Sequence, residues 1–343
     1  MLPSTEFEGL SMQGLTVRPA TMVDLSAVMD LFNTCSMAST GVRQFNEDEI
    51  RIVWEAPDFN METDTQIVLS PQGELIGYSD ITKLSEPLVR PQIWGQVHPQ
   101  WECQGIGTAL MTWATRRVRE AISSAPEGTR VSLIAHTLSA HEPSKALFES
   151  FYMKPVRHRW RMAINLQSPP ATPEWPCGIT LQNYNHPRDA ETVYRVEDEI
   201  FRGHWGYVQQ PFESGYERWL HHATGRSDFD ATLWKLAMDG KEVAGLLRCR
   251  PQGDLDPEMG WVSVLGVCRR WRGRGLGLAL LQHAFSEFHR RGKKRVGLSV
   301  DAENTTGASR LYEKAGMYIE QQYTIYEIEL RRGREIATQA IDS

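Results

Sequence analysis

The stretch that most constrains this chain is Val264-Leu265-Gly266-Val267-Cys268-Arg269-Arg270-Trp271-Arg272-Gly273-Arg274-Gly275-Leu276-Gly277. An apolar run ends at Val267 and a turn rich in glycine and arginine follows. Beyond it, Leu281, Ala284, Phe285 and Phe288 recur at the spacings of three and four that mark one face of a helix. The order strand, glycine loop, helix aims free backbone N–H groups and the positive end of a helix dipole at one point. An anion fits there, a phosphate above all. Gly275 and Gly277 let the backbone approach it with no Cβ in the way. A dinucleotide-binding loop fits less well. Residues 269–272 separate strand from glycines, and Leu280 stands where that motif needs its third glycine.

The pattern occurs twice. Displaced by 170 positions, Val267 falls on Val97, Trp271 on Trp101, Gly275 on Gly105 and Gly277 on Gly107, without a gap. Upstream, the turn and strand at 73–78 parallel those at 240–246. Strands alternating with helices imply an α/β chain with mixed sheets flanked by helices, here in two tandem copies. The first copy, 15–167, follows a flexible N-terminus at 1–14. It reads as a strand at 15–20, a helix at 24–33, strands at 67–69 and 76–81, the loop with its helix to 122, a strand at 131–135, a helix at 143–151 and an alternating strand at 156–162. Arg157, Arg159 and Arg161 form the solvated face of that last strand. Four prolines within 168–176 make 168–177 a stiff linker. The second copy, 178–331, repeats the order, with a helix at 189–201, strands at 233–238 and 243–249, a helix from the loop to Gly292, a strand at 296–300, a helix at 308–315 and a last strand at 323–330. Residues 332–343 are a tail.

Arg272 to Gly277 resembles the Arg/Gln-x-x-Gly-x-Gly/Ala signature of the GNAT superfamily of acyl-CoA-dependent N-acyltransferases. Asn304-Thr305-Thr306-Gly307-Ala308-Ser309-Arg310-Leu311-Tyr312-Glu313-Lys314-Ala315-Gly316-Met317 resembles its second signature, Asn-x-x-x-Ala-x-x-Leu-Tyr-Glu-x-x-Gly-Phe, with Met317 for the final Phe. The resemblance covers most of 178–331 and, more faintly, 15–166. It implies two tandem GNAT domains, acetyl-CoA as cosubstrate, and direct attack of an amine on the thioester in a ternary complex. It further implies that the strand bearing Leu265 and Val267 carries the pantetheine arm. The loop residues Arg272, Gly273, Arg274, Gly275, Leu276 and Gly277 would hold the pyrophosphate. Asn304 would contact the arm, and the Tyr312 hydroxyl would protonate the departing thiolate.

The first copy departs from this pattern. Leu147-Phe148-Glu149 stands for Leu311-Tyr312-Glu313, Ala140 for Asn304, Tyr152 for Gly316, and Glu102, which repels a pyrophosphate, for Arg272. That copy keeps the fold and lacks the proton donor, so its role is structural or acceptor-binding. For a general base in the second copy, Glu258 is the nearest carboxylate on the strand before the loop, at its far end. His204, whose ordinary pKa lies near neutrality, and Asp230 are the alternatives. The tandem arrangement resembles that of the mycothiol synthase family, which acetylates the cysteinyl amine of a pseudodisaccharide. That family has Gly-Glu at Gly260-Trp261, so Trp261 is a departure. The stretch 197–207, with its carboxylates, His204, Trp205 and Tyr207, falls where GNAT enzymes build the acceptor pocket, and suits an amino sugar or another small cationic amine.

Composition bounds the partners. A chain of 343 residues holds about two domains. No apolar run reaches the roughly 18 residues a membrane span needs, and the first residues lack the basic and apolar regions of a signal peptide. Five scattered cysteines fit reduced thiols, without a disulfide frame or a metal site. A cytoplasmic monomer or homodimer is expected, with no metal, no membrane and no nucleic acid as partner. The net charge of −6 favours a cationic substrate. The leading expectation is an acetyl-CoA-dependent N-acetyltransferase acting on a small primary amine. A protein lysine or N-terminal acetyltransferase and a non-catalytic acyl-CoA-binding module are the alternatives.

Overall fold

The computed structural model describes residues 7–11, 14–84, 87–253, 256–304 and 307–339. In the first half of the chain the elements are α1 (Glu8–Ser11), β1 (Thr16–Arg18), α2 (Leu25–Thr40), α3 (Glu47–Trp54), α4 (Met61–Asp64), β2 (Thr65–Leu69), β3 (Leu75–Thr82), β4 (Gln92–Val97), α5 (Ile106–Ala121), β5 (Val131–Leu138) and α6 (Glu142–Ser150). Then come β6 (Lys154–Asn165), β7 (Ile179–Asn183), α7 (Ala190–Phe201), α8 (Phe212–Thr224), β8 (Trp234–Asp239), β9 (Glu242–Arg250), β10 (Met259–Val267), α9 (Leu276–Arg290), β11 (Arg295–Asp301), α10 (Ala308–Lys314) and β12 (Tyr318–Arg331). The chain forms two compact units. One holds the chain up to Arg157 together with Thr324–Ile336, and the other holds His158–Tyr323 and the residues from Ala337 on.

Each unit carries the same sheet. In the first the order is β1-β2-β3-β4-β5, and in the second β7-β8-β9-β10-β11. Neighbours are antiparallel except the last pair, β4–β5 and β10–β11, which is parallel. The core of the second unit gathers Phe285, Phe288, Leu280 and Leu281 from α9 with Val296 and Leu298 from β11 and Leu246 from β9. Leu281, Phe285 and Phe288, with Ala284 in the same core, are the apolar stripe that the sequence spaces at three and four.

The repeat boundary in the sequence is not the boundary in space. From Arg159 to Asn165, β6 pairs antiparallel with β11, Asn165 opposite Arg295 and Arg159 opposite Asp301, within the second unit. The second half of β12 belongs to the first unit, where Arg130 next to β5 bonds Glu327 and Glu329. Each unit thus receives its last strand from the other half of the sequence. Arg161 is not merely solvated: its Nε donates to Glu320 at 2.7 Å and its guanidinium lies 4.7 Å from the Trp261 ring centre.

Three more findings depart from the sequence reading. Phe7 and Leu10 are buried in the first core, so the described part of the N-terminal segment is held, with Leu15 N–H bonded to the Leu10 carbonyl. The tail is anchored too: Gly206 N–H donates to Thr338 O at 2.7 Å and Thr338 N–H to Tyr207 O at 2.9 Å. Helices α3 and α8 form where no element was assigned. In α3, Asn46 caps the Glu49 N–H, and Glu47, Asp48 and Glu49 meet the positive helix end.

Candidate functional site

At Val267 the sheet ends, and Cys268 turns the chain into a single 3-10 turn, Arg269–Trp271. Trp271 is buried, and its indole N–H donates to Asp239 at 2.9 Å, which pins the loop to the β8–β9 turn. Gly273 (φ +74°) and Gly275 (φ +85°) adopt backbone conformations that L side chains rarely enter. Gly275 caps α9 without a side chain, so among the described residues no side chain caps the first-turn N–H groups, which have no intrahelical acceptor. A Cβ on Gly277 would lie 3.1 Å from Leu311 Cδ1, so glycine lets α10 pack on the first turn of α9. Arg272 donates from Nε to the Val267 carbonyl at 3.1 Å. Its terminal nitrogens have no protein partner among the described residues, and Arg274 is exposed. Backbone donors, a helix dipole and two guanidiniums on one turn form a cradle that fits a diphosphate.

The strand leading to this cradle is broken in register. Val262 faces Cys249 and Val264 faces Arg248, so Ser263 is an extra residue, a bulge. Side chains alternate along a strand, and the bulge resets that alternation. A Cβ on Gly260 would strike Phe288 of α9, whereas one on Gly266 would strike Ile200 of α7. Trp261, Val264 and Gly266 therefore share the α7 face. The bulge also marks where the parallel pair opens. β10 and β11 pair from Met259–Arg295 to Val262–Leu298 and no further among the described residues, although both strands continue. Over 264–267, half of the β10 backbone N–H and C=O groups face β9 and the other half face this opening. An extended, amide-bearing arm would find there the hydrogen-bond partners of a missing strand.

The residues expected at the site fall in different places. Tyr312 lies in α10 beside Leu311, hence next to the loop. It is 7% exposed, and burial pushes its hydroxyl up to about 12. The hydroxyl has no hydrogen-bond partner among the described residues. Asn304 follows β11, with its N–H on the Asp301 carbonyl at 3.1 Å, so it too stands at the loop end of the sheet. His204 is half-buried with its ring 4.8 Å from that of Phe201. Burial lowers its pKa, Arg272 lowers it further and Asp301 raises it, so it stands near the phosphate cradle. Glu258 precedes β10 at the opposite end of the strand, ion-paired with Lys294. Asp230 caps a short turn, accepts from Thr232, and binds Arg291 at 2.6 Å. Loop and tyrosine are thus together, and Glu258 and Asp230 are tied into ion pairs elsewhere.

Comparison with known proteins meets this geometry. The profile of the acetyltransferase (GNAT) family matches residues 190–317. A mycothiol acetyltransferase of Salinispora arenicola is 31% identical over 262 residues, 73% of this chain and 76% of that protein. The chain belongs to the GNAT acetyltransferase family. It is an N-acetyltransferase of tandem build. A mycothiol acetyltransferase of Nocardia farcinica is 28% identical over 321 residues, 89% of this chain and 95% of the relative. The crystal structure of a GCN5-related N-acetyltransferase from Sphaerobacter thermophilus superposes with a TM-score of 0.78 at 31% identity, covering 95% of this chain and 98% of that one. A tandem GNAT protein from the clavulanic acid biosynthesis pathway shares the fold, with a TM-score of 0.68 at 16% identity over 92% of this chain and 98% of that one. GNAT proteins use acyl-CoA cosubstrates, and cradle and opening are the parts of this chain that fit one.

The first GNAT copy repeats the frame with other side chains at the corresponding places. A Cβ on Gly107 would lie 3.0 Å from Leu147 Cδ2, as one on Gly277 would from Leu311, so Phe148 occupies the place of Tyr312. At the place of Gly273 stands Cys103, forced to φ +59°. Glu102, in the place of Arg272, lies 3.4 Å from His141 Nε2.

One cluster of the second GNAT copy escaped the sequence reading. Glu197 of α7 binds Arg248 of β9 at 2.9 Å and accepts from the Trp219 indole N–H at 3.2 Å. The Arg248 guanidinium lies 4.7 Å from the Trp234 ring centre and 5.4 Å from that of Trp219. Glu197 was within the stretch assigned to the acceptor wall, but its partner is 51 residues away and no local pattern announces it.

Proposed function

We propose that this GNAT enzyme transfers the acetyl group of acetyl-CoA to the primary amine of a small molecule, and that its second unit carries the reaction. Arg272, Arg274 and the backbone of Gly273, Gly275, Leu276 and Gly277 hold the pyrophosphate. Leu265 and Val267 offer backbone groups to the pantetheine arm, and Asn304 contacts it. Tyr312 supplies the proton to the departing thiolate. The observation that carries this reading is Tyr312 itself. Its buried hydroxyl, pushed up to about 12, stays protonated at neutral pH beside the loop, and the degenerate copy has phenylalanine there. The names of the curated relatives support a small-molecule acceptor. Trp261, where the mycothiol synthase family has glutamate, argues for an acceptor other than the mycothiol precursor.

The test is thiol release from acetyl-CoA across a panel of small primary amines and lysine peptides. Release with small amines and none with peptides is expected. With the best acceptor, Tyr312→Phe lowers kcat about 10- to 10⁴-fold while acetyl-CoA binding by calorimetry persists. Unchanged turnover removes Tyr312 from the role of acid. Turnover of peptides alone moves the acceptor class to proteins.

A further inference from the structure

We propose that Glu197 is the carboxylate that takes the proton from the acceptor ammonium, held for that task by Arg248. The inference rests on the acetyltransferase reading above and adds the proton acceptor that reading lacks.

Its first support is position. Ile200 of α7 faces Gly266 so closely that a Cβ there would lie 2.7 Å away. Glu197 stands one helical turn earlier, on the same face of α7. Arg248, its partner, is the β9 residue opposite Val264, the first residue past the bulge. The pair therefore stands on the α7 face at the level where β10 and β11 part, one strand over, against β9. Both side chains are largely buried, 14% and 13% exposed. One guanidinium hydrogen bond at 3.2 Å, an ion-pair contact at 2.9 Å and one indole N–H at 3.2 Å fix the carboxylate's orientation. The Arg248 guanidinium, lying over the Trp234 and Trp219 rings, is fixed in turn.

A second support comes from the degenerate copy. Cys35 of α2 meets the end of β4, its Sγ 3.2 Å from the Val97 carbonyl, as Ile200 of α7 meets the end of β10. That correspondence is a shift of 165, and it puts Phe32 in the place of Glu197. Asp80, opposite Trp94, stands where Arg248 stands opposite Val264. Phe32 is fully buried with its ring 4.3 Å from that of Trp94, so rings fill the space that the second copy gives to an ion pair. The copy with phenylalanine for Tyr312 thus has phenylalanine for Glu197 as well. A pair retained only for stability has no reason to disappear together with the phenol, whereas two groups serving one reaction do.

The proton balance closes. The acceptor ammonium gives one proton to Glu197, directly or through one water. The nitrogen lone pair forms the C–N bond to the thioester carbonyl carbon. The C–S bond breaks, its electron pair leaves on sulfur, and sulfur takes the Tyr312 proton. The second nitrogen proton restores the phenol, and Glu197 returns its proton to solvent. The products are the acetamide, the CoA thiol and one proton.

The test uses the full chain with the amine that the panel selects. Glu197→Gln keeps an acceptor for Arg248 and Trp219, so the fold should stand, as a thermal melt and acetyl-CoA calorimetry check. The expected result is a fall of about 10²- to 10⁴-fold in kcat/KM for the amine at neutral pH, with the acetyl-CoA Kd within about threefold of wild type. The deficit should shrink as pH rises and the free amine becomes abundant, and Glu197→Asp should recover part of the rate. Tyr312→Phe, by contrast, should lose kcat with no such recovery toward high pH. A Glu197→Gln enzyme with wild-type kcat/KM, or with a deficit equal at every pH, overturns the proposal. If Glu197→Gln does not fold, Glu197→Asp carries the test through the same pH profile. No thiol release by the wild type with any amine would instead overturn the acetyltransferase reading and this inference with it.

Discussion

Single residues in this chain carry separable consequences. Asp80 is 1% exposed; its Oδ2 accepts from Tyr78 at 2.8 Å, Tyr78 in turn accepts from Trp54, and Oδ1 has no hydrogen-bond partner among the described residues. Burial pushes its carboxyl up to about 7; the Tyr78 hydrogen bond lowers it and the nearby charge of Asp64 raises it. A carboxyl raised in the folded state binds its proton more tightly there than in the unfolded chain. Its contribution to stability is full below the unfolded value near 4 and is lost as pH rises through about 7. Asp80→Asn cannot ionise, so its stability relative to wild type should climb by a few kcal/mol between pH 4 and 8. Urea melts across that range check it; parallel curves for the two proteins would place the titration elsewhere. Gly260→Ala makes the opposite kind of change. Its Cβ meets the buried Phe288 ring, and since strand and helix are both fixed, a loss of about 1–3 kcal/mol is expected in the same melts. Among site residues, the places of Arg272, Gly275 and Tyr312 at and beside the loop were legible because each stands in a short motif. Glu197 was not. An arginine from another element holds it, and only the two copies set side by side by their packed helices expose the phenylalanine in its place.

At the scale of elements, the loop and its helix carry the coenzyme argument. Arg272 is the guanidinium that the second copy has and the first lacks. Arg272→Gln should raise the KM for acetyl-CoA about tenfold or more, the worth of a charged hydrogen bond, and change kcat less. Steady-state kinetics at fixed saturating amine decide it; an unchanged KM would move the diphosphate off this turn. The bulge offers a sharper check. Deleting Ser263 restores an unbroken register: Trp261 and Gly266, then four positions apart, stay on the α7 face, and the irregularity at which β10 parts from β11 is gone. Such a variant should fold with the sheet intact by circular dichroism and fail to bind acetyl-CoA in calorimetry. Helix α8 was legible in principle, since Phe212, Tyr216, Trp219, Leu220 and Ala223 recur at helical spacing. The bulge was not, because an apolar run such as 259–267 reads the same with or without an extra residue. Nor does a lone carboxylate near that strand, such as Glu258, announce which end of it faces the chemistry.

For the whole molecule, the assignment of the last strands matters most. Strict alternation over 156–162 says that a strand is there, and nothing in it says which sheet edge takes it. The edge of β11 takes it, along seven residue pairs from Arg159–Asp301 to Asn165–Arg295, with Met162 and Ala163 fully buried against the second core. A fragment cut at the proline-rich linker, residues 168–343, contains every residue assigned to the reaction and lacks this strand. It leaves β11 as an open edge beside Val296 and Leu298, the situation that invites pairing with other chains. Fragment 1–167 likewise lacks residues 324–336, which carry Tyr326 of the first core and Glu327 for Arg130. Each fragment alone should therefore aggregate or remain unfolded, while the two expressed together should co-purify and recover thiol release. Size-exclusion chromatography and a pull-down on a tagged fragment measure this directly. A soluble, monomeric and active 168–343 fragment would show that the borrowed strand is dispensable, and that the catalytic copy is a domain in its own right.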